Sequence, residues 1–170
     1  MNSWNSSNGL CPLKISVQKG QCFCLANFLL IVTAAVVFAQ PLRMSATEAY
    51  SAALNGNLII LDIRSPEEWA ETGVAKDAWP VTMHDPNFGA NLQSIIERYQ
   101  KKPLAFICAT GGRSNHVATV LEQNGILGII DISEGMFGNG KAPGWIARDL
   151  PIVDVTVARN RYTASMLKKD

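Results

Sequence analysis

From Ser45 onward the apolar positions alternate between helical and extended spacing, and capping or turn residues punctuate the changes. Ser45 with Glu48 forms a capping-box pattern. Ala46, Tyr50, Ala53 and Leu54 then recur at helical spacing until Asn55-Gly56 stops them, which predicts a short amphipathic helix. Leu58-Ile59-Ile60-Leu61 is apolar on both faces, the mark of a strand inside a helix-covered parallel sheet. Ser65 can cap a following short helix, Pro66 suits its first position, and Glu67 and Glu68 favour its positive end. Trp79-Pro80-Val81 reads as a short strand and His84-Asp85-Pro86 as a loop. Between Asn91 and Tyr99, Leu92, Ile95, Ile96 and Tyr99 predict a helix that Lys101-Lys102-Pro103 breaks. Leu104-Ala105-Phe106-Ile107 is a second buried strand, and Val117, Val120 and Leu121 mark a helix running to Gln123, before Asn124-Gly125. Gly128 to Ile132 supplies another buried strand, while Val153, Val155 and Val157 alternate with polar residues as in an edge strand. Strands alternating with helices predict an α/β fold with a mostly parallel central sheet flanked by helices on both faces. Ligands of such a sheet sit at the carboxyl ends of its strands.

Residues 1–39 differ in kind from the rest. No Asp or Glu precedes Glu48, Lys14 and Lys19 are cationic, and Phe28 to Ala39 is an apolar stretch ending in small residues. This reads as a secretory signal peptide cleaved before Gln40, which implies export, into a periplasm. The alternative is an uncleaved inner-membrane anchor over residues 22–39, since that looser run approaches the roughly 18 residues a spanning helix needs. Membrane contact is expected only in that second case. The domain proper is expected over residues 45–151, and residues 152–170 as an edge strand followed by a basic, solvated tail.

Composition narrows the classes further. With 48% hydrophobic and 17% charged residues the chain is neither disordered nor collagen-like, and a net charge of +1 without a basic stripe argues against nucleic acid. Cys11, Cys22 and Cys24 lie in the N-terminal segment, so removal of that segment leaves Cys108 alone. A lone cysteine can form neither an internal disulfide nor a four-cysteine metal site.

The chemistry concentrates in Cys108-Ala109-Thr110-Gly111-Gly112-Arg113-Ser114, a turn between a buried strand and a helix. Two glycines allow close backbone approach to an anion, and the helix aims its free N–H groups and positive end back at the loop. Such a setting biases a thiol toward thiolate. The plainer reading of Cys108 is a buried packing residue, which would have no need of the Gly-Gly-Arg-Ser that follows.

This loop resembles the active-site loop of the rhodanese family of sulfurtransferases, and further segments extend the likeness over about Ser45 to Pro151. Asp62-Ile63-Arg64 followed by Ser65-Pro66-Glu67-Glu68-Trp69 is similar to the family's first signature. Glu134-Gly135-Met136-Phe137 and Trp145 to Pro151 resemble its closing segment, with Glu134 and Asp149 where glycine is usual. The turn Thr72 to Ala78 departs from the family pattern, lacking its histidine and carrying one extra residue. Four residues separate Cys108 from Arg113, whereas the phosphatases with this kind of loop place one more between nucleophile and arginine. The shorter ring suits a single sulfur atom.

The resemblance implies a persulfide on Cys108, loaded by a small anionic sulfur donor such as thiosulfate and discharged to cyanide, a thiol or a protein dithiol. It implies no metal and no organic cofactor. Cys108 and Arg113 are then the catalytic residues, Ala109, Thr110, Gly111, Gly112 and Ser114 the persulfide-binding loop, and the amides of Ala109 to Arg113 the anion donors. Asp62 and Arg64 are secondary candidates: either a structural pair at a strand end or, for Arg64, an attractor of the donor. Met136 and Phe137 are candidate apolar walls, with core packing the equal alternative. His84 and His116 are expected on solvated positions. The competing classes are a cysteine-dependent phosphatase, a non-catalytic binding or sulfur-relay module, and a thiol redox carrier, which would need a resolving cysteine.

Overall fold

The computed structural model describes residues 40–168. The signal-or-anchor segment and Cys11, Cys22 and Cys24 lie outside the described residues. Among those described, no helix is long and apolar enough to cross a membrane.

The elements run β1 (Leu42–Met44), α1 (Ala46–Leu54), β2 (Ile59–Asp62), α2 (Pro66–Thr72), β3 (Val74–Ala75), β4 (Ala78–Pro80) and α3 (Phe88–Arg98). They continue with β5 (Leu104–Ile107), α4 (Gly112–Gln123), β6 (Ile130–Ile132), α5 (Gly144–Ala147), β7 (Ile152–Val153) and α6 (Val155–Leu167). Five strands form an all-parallel sheet in the order β1-β6-β5-β2-β4, and β3 and β7 pair separately as a small antiparallel ribbon. The fold is thus the α/β arrangement that the alternating pattern predicts.

Successive strand residues alternate between two cores, as the pleat requires. Leu58, Ile60, Ala105, Ile107, Ile130 and Ile132 pack with Ala46 and Ala49 of α1, Trp69 of α2 and Trp145 of α5. Ile59, Leu61, Leu104, Phe106 and Cys108 pack on the other side with Leu92 and Ile95 of α3 and Val117 and Ala118 of α4. Both faces are therefore covered, which is why the strands read as unbroken apolar runs. Ser45 forms the expected capping box with Glu48, Ser65 caps α2 and Pro66 begins it, and Glu68 closes a second reciprocal box that the sequence reading had not assigned.

β1, β3 and the C-terminal segment depart from the expectation, β3 being a two-residue strand inside the expected turn that pairs with β7. β1 was not anticipated: its three residues, two of them exposed, carry no periodic signal, and pairing with β6 alone makes them a strand. The expected edge strand through Val157 and the solvated tail are corrected as well. Only Ile152–Val153 is extended, because Asp154 accepts the N–H of Thr156 and starts the 13-residue helix α6. Ala158, Tyr162 and Met166, spaced by four, turn α6 onto the cores, with the Tyr162 ring 5.5 Å from that of Trp79. Tyr99 Oη donates to the Ser165 carbonyl at 2.8 Å and Arg161 pairs with Asp77 at 2.7 Å. The alternation of Val153, Val155 and Val157 was too short to outweigh a cap and a four-residue repeat.

The carboxyl ends of β2, β5 and β6 are neighbours, and the segments leaving β5 and β6 are laced together. Met136 N–H donates to the Cys108 carbonyl and Phe137 N–H to that of Ala109, both at 2.9 Å. The approach needs glycine. A Cβ on Gly111 would overlap the Ser133 carbonyl and one on Gly135 the backbone of Ala109, and both residues have positive φ, 87° and 65°. A left-handed conformation costs a residue with Cβ about 1–2 kcal/mol before any overlap is counted. Gly135→Ala should therefore lower the unfolding free energy by at least about 2 kcal/mol in urea denaturation. Gly140→Ala, also at positive φ but with nothing within 4 Å of its Cβ, should lose distinctly less.

Candidate active site

Cys108 follows β5 directly and turns its side chain toward the α4 face, where the residue is 1% exposed. The chain reverses through Gly111, which caps α4 in the left-handed region, and this reversal points main-chain donors inward. Gly111 N–H donates to Cys108 Sγ at 3.2 Å and Ser114 N–H donates at 3.4 Å, while Ser114 Oγ lies 3.5 Å away. The sulfur thus sits at the positive end of a 12-residue helix. Among the amides of Ala109 to Arg113 the hydrogen bond comes from Gly111, and Ser114 adds its own. Thr110 and Gly112 are exposed and Ala109 half-buried along the rim.

Arg113 stands beside the sulfur but is not free. Its guanidinium holds Glu68 with two bonds, Nη1–Oε2 at 2.8 Å and Nη2–Oε1 at 2.6 Å. Glu68 Oε2 also accepts the N–H of Ser65, so one carboxylate closes the capping box of α2 and anchors the loop arginine. The Arg113 bond, opposed by partial burial, lowers the Glu68 pKa to about 2. Arg113 is raised in turn, first by Glu68, with Cys108 adding a smaller push.

Arg64 is a different kind of residue. It is fully buried and grips Asp62 through Nε–Oδ1 at 2.9 Å and Nη2–Oδ2 at 2.7 Å. Nη1 donates to Thr72 Oγ1 at 2.8 Å and Nη2 to the Gly73 carbonyl at 2.7 Å. Of the two readings of this pair the structural one holds: Arg64 clamps the end of β2 to the end of α2, and its donors are spent on the protein itself. The idea that it attracts a donor is corrected, since a guanidinium without solvent contact cannot meet one.

The closing segment divides likewise. Met136 is fully buried in the α1/α5 core and is no wall of the site, whereas Phe137 is 48% exposed with its ring centroid 6.0 Å from Arg64 Cζ. Glu134 accepts from Gly144 N–H and pairs with Arg148 at 2.6 Å, so it holds the loop after β6 in place of the glycine usual there. His84 and His116 are exposed, His116 on the outer side of α4. Among the described residues no group of three or more His, Cys, Asp or Glu side chains could hold a metal ion.

Two residues of the candidate site escaped the sequence reading. Glu68 was read only as a first-turn carboxylate favouring the positive end of its helix, and nothing local ties it to Arg113. Asp131, 1% exposed on β6, accepts a hydrogen bond from Ser114 Oγ at 2.7 Å. Its signal was present: a carboxylate inside an apolar strand has to find a partner.

The family described as Rhodanese-like domain matches residues 45–140. An uncharacterized protein of Rickettsia prowazekii is 31% identical over 116 residues, covering 64% of this chain and 94% of that protein. The polysulfide-sulfur transferase homodimer of Wolinella succinogenes is 22% identical with a TM-score of 0.50, covering 69% of this chain and 81% of that one. A rhodanese-like domain protein from Staphylococcus aureus is 28% identical with a TM-score of 0.47, covering 58% and 91% respectively.

Two predictions follow from the two arginines. Arg64→Leu leaves the buried Asp62 carboxylate unpaired and should cost about 3–5 kcal/mol in urea denaturation. Glu68, with its folded pKa lowered from 4.5 to about 2, contributes stability that is fully present above about 4.5 and is lost as pH falls toward about 2. The stability difference between wild type and Glu68→Gln should be level at neutral pH and shrink across that window. A difference that stays constant down to the lower limit would contradict the ion pair.

Proposed function

The chain belongs to the rhodanese-like domain family, and from that membership and the geometry at Cys108 we propose that it is a sulfurtransferase working through a Cys108 persulfide. The observation that carries the reading is the convergence of the Gly111 and Ser114 amides on Sγ at 3.2 and 3.4 Å, with Arg113 beside them. Donors fixed around a buried atom stabilise charge on it without reorganising, the effect exploited in oxyanion holes. A packing cysteine needs none of them.

In the loading step the Cys108 thiolate attacks the outer sulfur of thiosulfate or another sulfane donor. A sulfur–sulfur bond forms to Cys108, the bond to the sulfite sulfur breaks, and sulfite leaves with the electron pair. The persulfide anion then rests among the loop amides. An acceptor nucleophile, cyanide, a thiol or a protein dithiol, attacks the terminal sulfur and expels the Cys108 thiolate. Arg113 meets the anionic donor at the rim, in competition with Glu68 for its guanidinium. Ser114 supports the loop through its amide and hydroxyl. Asp62, Arg64 and Met136 act on the scaffold alone. Export of this activity rests on residues 1–39.

Intact-mass measurement after incubation with thiosulfate tests the reading. Wild type should gain one sulfur and Cys108→Ser none. No gain on wild type, or equal gain on both, would sink it. Arg113→Ala should load sulfur on the order of 100-fold more slowly, the usual cost of removing one preorganised donor, in a time course read by the same method.

A further inference from the structure

Ser114 Oγ is the midpoint of a buried chain of three groups. It lies 2.7 Å from Asp131 Oδ1, 3.2 Å from the Gly111 carbonyl and 3.5 Å from Cys108 Sγ. Ser114 and Asp131 are 0% and 1% exposed. A hydroxyl has one proton to give and two lone pairs, and an ionised carboxylate only accepts. The shortest contact therefore takes the Ser114 proton, and Oγ turns lone pairs toward Cys108. That suits a neutral thiol, whose S–H donates to Oγ, and does not suit a thiolate.

We propose that Cys108 and Asp131 share one proton through the Ser114 hydroxyl, so that Asp131 takes up the charge-balancing proton when Cys108 becomes the reactive thiolate. This deepens the sulfurtransferase reading and takes from it only that Cys108 reacts as a thiolate. The transfer balances without a further reagent. The S–H bond breaks as an O–H bond forms on Ser114, and the original Ser114 O–H breaks as an O–H forms on Asp131 Oδ1. One negative charge moves from Asp131 to sulfur and the total is unchanged. The Cys108–Ser114 and Ser114–Asp131 links each remain a donor–acceptor pair with its direction reversed. Sγ then receives Gly111 N–H, Ser114 N–H and Ser114 O–H together.

The surroundings favour a carboxyl able to hold that proton. Burial raises the Asp131 pKa, opposed by the Ser114 bond and by Arg43. Arg43 stands opposite Asp131 in the β1–β6 register, and Phe106 is the apolar neighbour in β5. On the α4 side the charged group is Arg113, whose cation is already matched by Glu68 of α2. The negative charge thus has two alternative seats, one lined by a single hydroxyl and one lined by three donors.

The test is a pH titration of thiolate ultraviolet absorbance on the full chain without any sulfur donor, with the Cys108→Ser signal subtracted. Two coupled sites release their two protons in two macroscopic steps, each divided between both sites. Wild-type Cys108 absorbance should rise in two steps, and Asp131→Asn, which keeps the shape and can still accept from Ser114, should lose one of them. Ser114→Ala should also give a single step. One wild-type step coinciding with that of Asp131→Asn overturns the proposal. Infrared spectroscopy supplies a readout that does not depend on the Asp131 variant folding: the buried carboxylic acid band should disappear in two steps in wild type and in one step in Cys108→Ser. A single step in both proteins likewise overturns it. Because no donor is present, failure here is distinct from failure to gain sulfur from thiosulfate.

Discussion

The site depends on how closely two backbone segments approach each other. The turn after β5 and the turn after β6 are joined by main-chain hydrogen bonds from Met136 and Phe137, and the contact leaves no room for a Cβ on Gly111 or Gly135. With the turns held at that separation, Gly111 is fixed in the left-handed region and its N–H points at sulfur. Were the turns to part, the Cys108 sulfur would keep its place at the end of β5 but lose the cradle that distinguishes it from a core thiol. Glycine here is thus a requirement of packing as much as of φ.

Around this contact four carboxylates are each matched to a partner, and burial sorts their roles. Asp62 and Arg64 have no solvent contact and lock β2 to α2. Such a pair adds little net stability relative to a well-packed apolar substitute but is costly to break. Glu134 and Arg148 fix the loop after β6 from its outer side. Glu68 and Arg113 remain about a quarter to a third exposed, at the rim of the loop. Asp131 has only a hydroxyl, and that hydroxyl is also within reach of the sulfur. The least compensated charge of the four is therefore the one connected to the Cys108 sulfur, an arrangement more common at functional sites than in scaffolds.

Much of this was legible in the chain alone. The capping box at Ser45, the Ser65 cap, the unbroken apolar strands and the helical repeats specify local structure because each depends on residues within a turn or two of one another. The Cys108-to-Arg113 spacing likewise specifies a tight turn before a helix. β1 and α6 were less legible for opposite reasons. A three-residue edge strand has almost no pattern, and the start of α6 lay under a brief alternation that also fits a strand.

By itself the sequence determined the α/β layering, the position of the thiol at a strand's carboxyl end and the helix that points its amides back at it, since periodicity, caps and glycines act over short distances. Only the tertiary structure decided that Arg64 is spent on the scaffold, that Met136 belongs to the core, and that Cys108 has a carboxylate behind it. Arg113 meets Glu68 across 45 positions and Ser114 meets Asp131 across 17. Such partnerships are set by which strands become neighbours in the sheet, and that order is a property of the whole packed chain.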